Sequence, residues 1–180
     1  LGRVSLNPMK HIDPVGTVLL PLMLYVATSG AFIFGYAKPV PVRFGRLRKP
    51  KQDMVWVALA GPASNFIQAL IWGIALIVLH SRGVEESFLL KMCEGGILVN
   101  VVMFAFNLFP LPPLDGGRIL VGLLPHKAAE AVSRIEPWGF FIVLGLVLLH
   151  VIDSLWLRPV MGLTLRLMQT VLRPLADLLS

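Results

Sequence analysis

Residues Met54 to Leu79, MVWVALAGPASNFIQALIWGIALIVL, contain no charged side chain. A transmembrane helix needs about 20 consecutive apolar residues, so this run predicts a helix that crosses a membrane. Within it, Ala60, Gly61 and Ser64 offer a small surface for close packing against another helix. The whole chain agrees with a membrane protein, because 56% of its 180 residues are hydrophobic and only 14% are charged. In soluble domains about 25% of residues are charged.

Further apolar runs predict an all-α, polytopic transmembrane bundle that forms a single membrane-embedded domain over residues 1–180. The predicted spans lie at residues 15–36, 54–79, 95–111 and 138–157. Residues 159–180 place polar or small side chains every three or four positions, which is typical of an amphipathic helix. This segment is predicted to lie in the membrane interface or to form a last span.

The formal net charge of +6 comes largely from a basic cluster between the first two apolar runs. Its members are Lys38, Arg43, Arg46, Arg48, Lys49 and Lys51. By the positive-inside rule this loop is cytoplasmic, and its charges favour contact with anionic lipid over nucleic acid. The single Cys93 excludes an internal disulfide.

Residues 38–48 alternate apolar and other side chains at Val40, Val42 and Phe44. This period of two predicts a short strand, as a β-hairpin that turns at Gly45 or as a re-entrant segment. The edge at Val40 and Val42 keeps its backbone N–H and C=O groups and could bind an extended peptide by strand addition. In the alternative, the segment only connects two spans and its prolines prevent aggregation.

Chemistry is concentrated in residues 107–118, NLFPLPPLDGGR. Asp115 directly follows an apolar helix, where a charge at bilayer depth costs about 2.5–3.5 kcal/mol unless a partner compensates it. Pro110 and the prolines after it break the helix, and irregular backbone at that depth must be buried in protein or line a wet cavity. Gly116 and Gly117 permit a tight turn beside the carboxylate. The alternative is a helix-terminating loop with Asp115 exposed among the headgroups.

The same segment resembles the Asn-Pro-Asp-Gly signature of site-2 proteases, a family of intramembrane zinc metalloproteases. Three other blocks resemble those of the short bacterial and archaeal branch of this family, in the same order. They are NPMKHIDPVGT from Asn7, AKPVPV from Ala37 and AGPASN from Ala60. The resemblance therefore extends from about Asn7 to Arg118.

This resemblance implies a multi-pass enzyme of the cell (inner) membrane of a prokaryote that cleaves transmembrane proteins. It implies one zinc ion that activates water for attack on the peptide bond, with Asp115 as the third zinc ligand. Asn107 would lie near the site, where its amide could donate to the developing oxyanion or hold the substrate backbone. In the alternative, Asn107 bonds a carbonyl that the helix break has freed.

One family feature is missing from these 180 residues. The H-E-x-x-H motif, which supplies two histidine ligands and a glutamate base, does not occur, because the histidines are scattered at His11, His80, His126 and His150. We expect two further zinc ligands from a segment upstream of Leu1, and we expect the chain alone to be inactive. The alternative is a non-catalytic membrane protein, either a pseudoprotease that binds transmembrane segments or a small transporter.

Overall fold

The structure, a computed structural model, describes residues 12–27 and 50–179. The chain divides into two compact units, Leu1–Gly45 and Arg46–Ser180. In the first unit a π-helical turn, Pro14–Leu19, leads into helix α1 (Leu20–Ala27). The predicted span at 15–36 is thus described only in its first part. The predicted strand at 38–48, with Val40 and Val42, lies outside the described residues.

The second unit is helical throughout its described part, and the helices are labelled here in chain order. They are α2 (Pro50–Ser81), α3 (Ser87–Asn107), α4 (Asp115–Leu123), α5 (His126–Ser133), α6 (Glu136–Leu148) and α7 (Arg158–Leu179). A π-helical turn, Asp153–Leu157, leads into α7. The predicted all-α class is confirmed, since no strand occurs in residues 12–27 or 50–179.

Two of the described helices are long and apolar enough to cross a membrane, over Lys51–Ser81 and Ser87–Asn107. A third crossing results if α5 and α6, which meet at a bend of 64°, are counted as one span. Helices α2 and α3 are therefore long and apolar enough to be the spans that the apolar runs predict. The full division of the chain into spans stays a prediction.

Two helix boundaries differ from the predicted runs. Helix α3 begins well before residue 95, because the Glu86 carboxylate caps it by accepting hydrogen bonds from the N–H groups of Phe88 and Leu89 at 3.0 and 2.7 Å. The run at 138–157 is not one helix. Helix α6 ends at Leu148. His150 then adopts a left-handed backbone conformation, with a φ of 55°, and the chain turns there before the next helical segment.

The core of the second unit lies between α2, α3 and α7. Ala69, Val101 and Met168, one from each helix, are buried together there. Helix α7 also lies along α2 further on, where a Cβ on Gly73 would come within 2.6 Å of the Leu172 side chain. Small residues on the long helix thus let its neighbours approach closely.

Candidate metal centre

The loop that joins α3 to α4 packs closely against the first turn of α4. Helix α3 ends at Asn107, and Pro110 is exposed while Gly116 and Gly117 are buried. A Cβ on Gly116 would overlap the carbonyl oxygen of Leu108, and one on Gly117 would overlap the backbone of the proline-rich loop. Because these two residues have no side chain, the backbone of the first turn of α4 can lie directly against the backbone of the loop.

Asp115 is the first residue of α4, and its side chain is half-buried. Across from it lies Gly61 of α2, where a Cβ would stand only 2.7 Å from Oδ2 of Asp115. The carboxylate thus occupies a space that is open only because residue 61 has no side chain. Asp115 also lies at a helix N-terminus, where a negative charge is favourable.

Burial disfavours the charge of Asp115, although the helix N-terminus favours it. Burial raises the pKa of the Asp115 carboxyl above its usual value, and the nearby Arg118 guanidinium partly lowers it again. Arg118 itself lies 3.8 Å from the Glu136 carboxylate at the start of α6, and both side chains are about half exposed. Within residues 50–179 no hydrogen bond to the Asp115 carboxylate is formed, so its oxygens are available to a ligand.

Asn107 is the last residue of α3 and is partly buried. Its side chain makes no hydrogen bond to another described residue. Asn100, two turns earlier on the same face, donates to the carbonyl of Gly96 in its own helix at 2.8 Å. The Asn107 amide therefore remains available for a further partner.

The carbonyl freed at the helix break is instead bonded by a residue that the sequence did not single out. The Phe109 N–H donates to the Phe106 carbonyl at 3.1 Å. It therefore does not bond the Ala105 carbonyl, which is left without its helical partner. Trp156 Nε1 donates to that carbonyl at 2.8 Å. An indole in an apolar segment must place its N–H on an acceptor, but which acceptor it reaches depends on the tertiary fold.

Asp115 fits a metal ion as one ligand of a larger set. A half-buried carboxylate with unbonded oxygens, in a space that a Cβ would fill, is suited to a divalent cation. Residues 12–27 and 50–179 contain no cluster of three His, Cys, Asp or Glu side chains. The described residues therefore form no complete metal site, and the role of Asp115 as a zinc ligand stays a prediction.

Comparison with known proteins links the chain to a peptidase family. Residues 82–150, which include α3, the proline-rich loop and α4, match Peptidase family M50. The chain is 39% identical over 150 residues to a Bacillus subtilis protein named "Putative zinc metalloprotease YwhC", covering 81% of this chain and 64% of that protein. Over residues 82–150 the chain therefore matches the site-2 protease family, which is Peptidase family M50.

A second relative comes from Mycolicibacterium smegmatis and is named "Putative zinc metalloprotease Rip2". It is 28% identical over 155 residues, which cover 82% of this chain and 54% of that protein. The chain thus spans between half and two thirds of the length of these relatives. No solved structure matches it. The family match and these relatives confirm the predicted resemblance, while the roles of individual residues stay predictions.

Proposed function

We propose that this chain is part of a zinc metalloendopeptidase that cleaves transmembrane proteins within the bilayer, with Asp115 as a zinc ligand. The observation that carries the proposal is the position of the Asp115 carboxylate. It is half-buried, faces Gly61 and follows the loop after a helix that is long enough to cross a membrane. The match of residues 82–150 to Peptidase family M50 and the names of the chain's relatives support the same chemistry.

A catalytic zinc site holds three protein ligands and keeps one position open. Asp115 supplies one ligand, and no H-E-x-x-H motif occurs in the 180 residues. We therefore propose that two histidines and a glutamate base come from outside them. Bound zinc would activate water for attack and polarise the scissile carbonyl.

The residues of this chain then have distinct tasks. The Asp115 carboxylate would be held ionised by the cation, which offsets the cost of its burial. The Asn107 amide, unbonded within the described part, would donate to the substrate carbonyl oxygen at the end of α3. Val40 and Val42 would present a strand edge to which the unwound substrate adds. Hydrogen bonding along that edge satisfies substrate backbone groups that lipid cannot.

Alanine substitution of Asp115 in the full-length protein tests the proposal. Cleavage of a membrane-anchored reporter, measured in cells by gel mobility, should be lost in Asp115→Ala. The matched control is Asp153→Ala, because Asp153 only forms a surface ion pair with Arg158, at 2.8 Å. Undiminished cleavage by Asp115→Ala would refute the ligand role. Absence of cleavage by the wild-type protein across a panel of transmembrane segments would favour the non-catalytic alternative.

A further inference from the structure

Helix α4 is docked antiparallel on the first half of α2 by three successive contacts. At its N-terminus Asp115 lies against Gly61. Near its C-terminus a Cβ on Gly122 would overlap the Val55 side chain, and would come 3.1 Å from the Lys51 carbonyl oxygen. Beyond the helix end, the Lys51 ammonium donates to the Leu124 carbonyl. We refer to these contacts as the α2–α4 clamp.

The clamp determines how far α4 can slide or rotate on α2. In two of its contacts a side chain, that of Asp115 or of Val55, packs directly against the backbone of a glycine, where no side chain holds the helices apart. The third is a charge-assisted hydrogen bond to a backbone carbonyl, which is among the stronger kinds. Together they hold both ends of a helix of only nine residues, so the first residue, Asp115, has a fixed place relative to α2.

We infer that Gly61 is a positioning residue for the metal ligand. It sets where the Asp115 carboxylate lies, while the other two contacts of the clamp hold the C-terminal end of α4 on α2. This inference rests on the proposed function, since it assumes that Asp115 binds zinc. Gly61 does not touch the metal in this account. It acts by leaving room on α2 for one carboxylate oxygen at one place.

The expected consequence of a side chain at residue 61 follows from the contact distances. A Cβ there would stand 2.7 Å from Oδ2, whereas ordinary contact begins at 3.4 Å, so the oxygen must move by about 0.7 Å. Metal–ligand distances tolerate only about 0.2 Å. The moving atom is the end of a side chain, so the fold adjusts easily while the ligand is displaced. Mutation of a residue that orients a metal ligand typically weakens metal binding roughly 10- to 100-fold, and we expect the displacement of Asp115 to fall in that range.

The experiment compares Gly61→Ala with Gly95→Ala in the purified full-length protein. Gly95 is also a helical glycine of a spanning helix, but nothing lies within 4 Å of a Cβ placed there. Zinc affinity is measured by competition with a chromogenic chelator, and the geometry is read from the visible spectrum of Co²⁺ bound in place of zinc. We expect Gly61→Ala to bind zinc roughly 10- to 100-fold more weakly and to shift the Co²⁺ bands, without a lower unfolding temperature. We expect Gly95→Ala to match the wild type in zinc affinity and Co²⁺ bands, with an unfolding temperature that is equal or higher, since alanine favours a helix more than glycine does.

A compensating pair separates positioning from general damage. Gly122→Ala should also weaken zinc binding, because the new methyl pushes Val55 and shifts α4. Adding Val55→Ala removes the overlapping methyl groups and should restore much of the affinity. Wild-type affinity and Co²⁺ bands in Gly61→Ala would overturn the inference, as would equal loss in Gly95→Ala.

Asp115→Ala is measured alongside so that the two claims can fail separately. If it retains zinc, the proposed ligand assignment fails. If it loses zinc while Gly61→Ala binds normally, only the positioning role of Gly61 is refuted.

Discussion

Trp156 is predicted to contribute substantially to stability by joining the segment before α7 to the end of α3. Its Nε1 donates to the Ala105 carbonyl at 2.8 Å, and its ring makes an edge-to-face contact with Phe109 at 5.6 Å between centroids. Replacement by phenylalanine keeps an aromatic ring at this place but removes the donor. The Ala105 carbonyl is then left without either its helical or its tertiary partner.

The magnitude follows from the burial of the acceptor. Ala105 is 0% exposed, so water cannot replace the lost donor. Leaving a buried acceptor unsatisfied costs about 1–3 kcal/mol, and part of the ring packing remains. We therefore expect Trp156→Phe to lower the free energy of unfolding by about 1–3 kcal/mol.

The assay is denaturant-induced unfolding of the purified protein in detergent micelles, followed by the helical circular dichroism signal. The matched control is Trp138→Phe, because Trp138 is 68% exposed and donates no hydrogen bond to a described residue. It should change stability by no more than about 0.5 kcal/mol. Equal stability of wild type and Trp156→Phe, or an equal loss in both variants, would refute the reasoning.

Three further predictions concern the loop, the carboxylate and the strand. A Cβ on Gly139 would overlap the Pro112 carbonyl oxygen, so Gly139→Ala should lower the unfolding temperature, whereas Gly145→Ala, with open space, should not. In metal-free protein the raised pKa of Asp115 makes its ionised form destabilising at pH values above that pKa. Asp115→Asn should therefore stabilise the metal-free protein at neutral pH, with a gain that disappears as the pH falls towards the usual aspartate pKa. A pH-independent gain would contradict this. Val40→Pro should impair cleavage with zinc content unchanged, and normal cleavage would exclude the strand-edge hypothesis.

Local patterns in the sequence were sufficient to predict the long apolar helices and to single out Asp115 as a candidate ligand. The uncharged run from Met54 lies inside α2, and a charge placed after a proline-broken helix indicates Asp115 without knowledge of the fold. Both are local signals: the first is an apolar composition over a long run, and the second is a charged residue at a place where lipid is expected. The early start of α3 was also encoded locally, since Glu86 is an acidic cap before an apolar run, but the apolar run alone does not reveal it.

Contacts between distant residues could not be predicted in the same way. Small residues near Gly61 predicted close helix packing, yet nothing in a single sequence shows that the partner is a carboxylate 54 positions away. The bond from Trp156 to Ala105 likewise depends on the turn at His150, a residue type that only occasionally adopts a positive φ. Such pairings arise from tertiary packing, which local propensity does not encode.

Ligation by residue 115 can be tested by making that position a sulfur ligand. Zinc K-edge X-ray absorption would be recorded on the full-length wild type and on Asp115→Cys, with the buried native Cys93 present in both. The account predicts only oxygen and nitrogen scatterers at about 2.0–2.2 Å in the wild type, and one added sulfur at about 2.3 Å in the variant. A variant that retains zinc with no sulfur scatterer would contradict the account, because residue 115 would then not touch the metal.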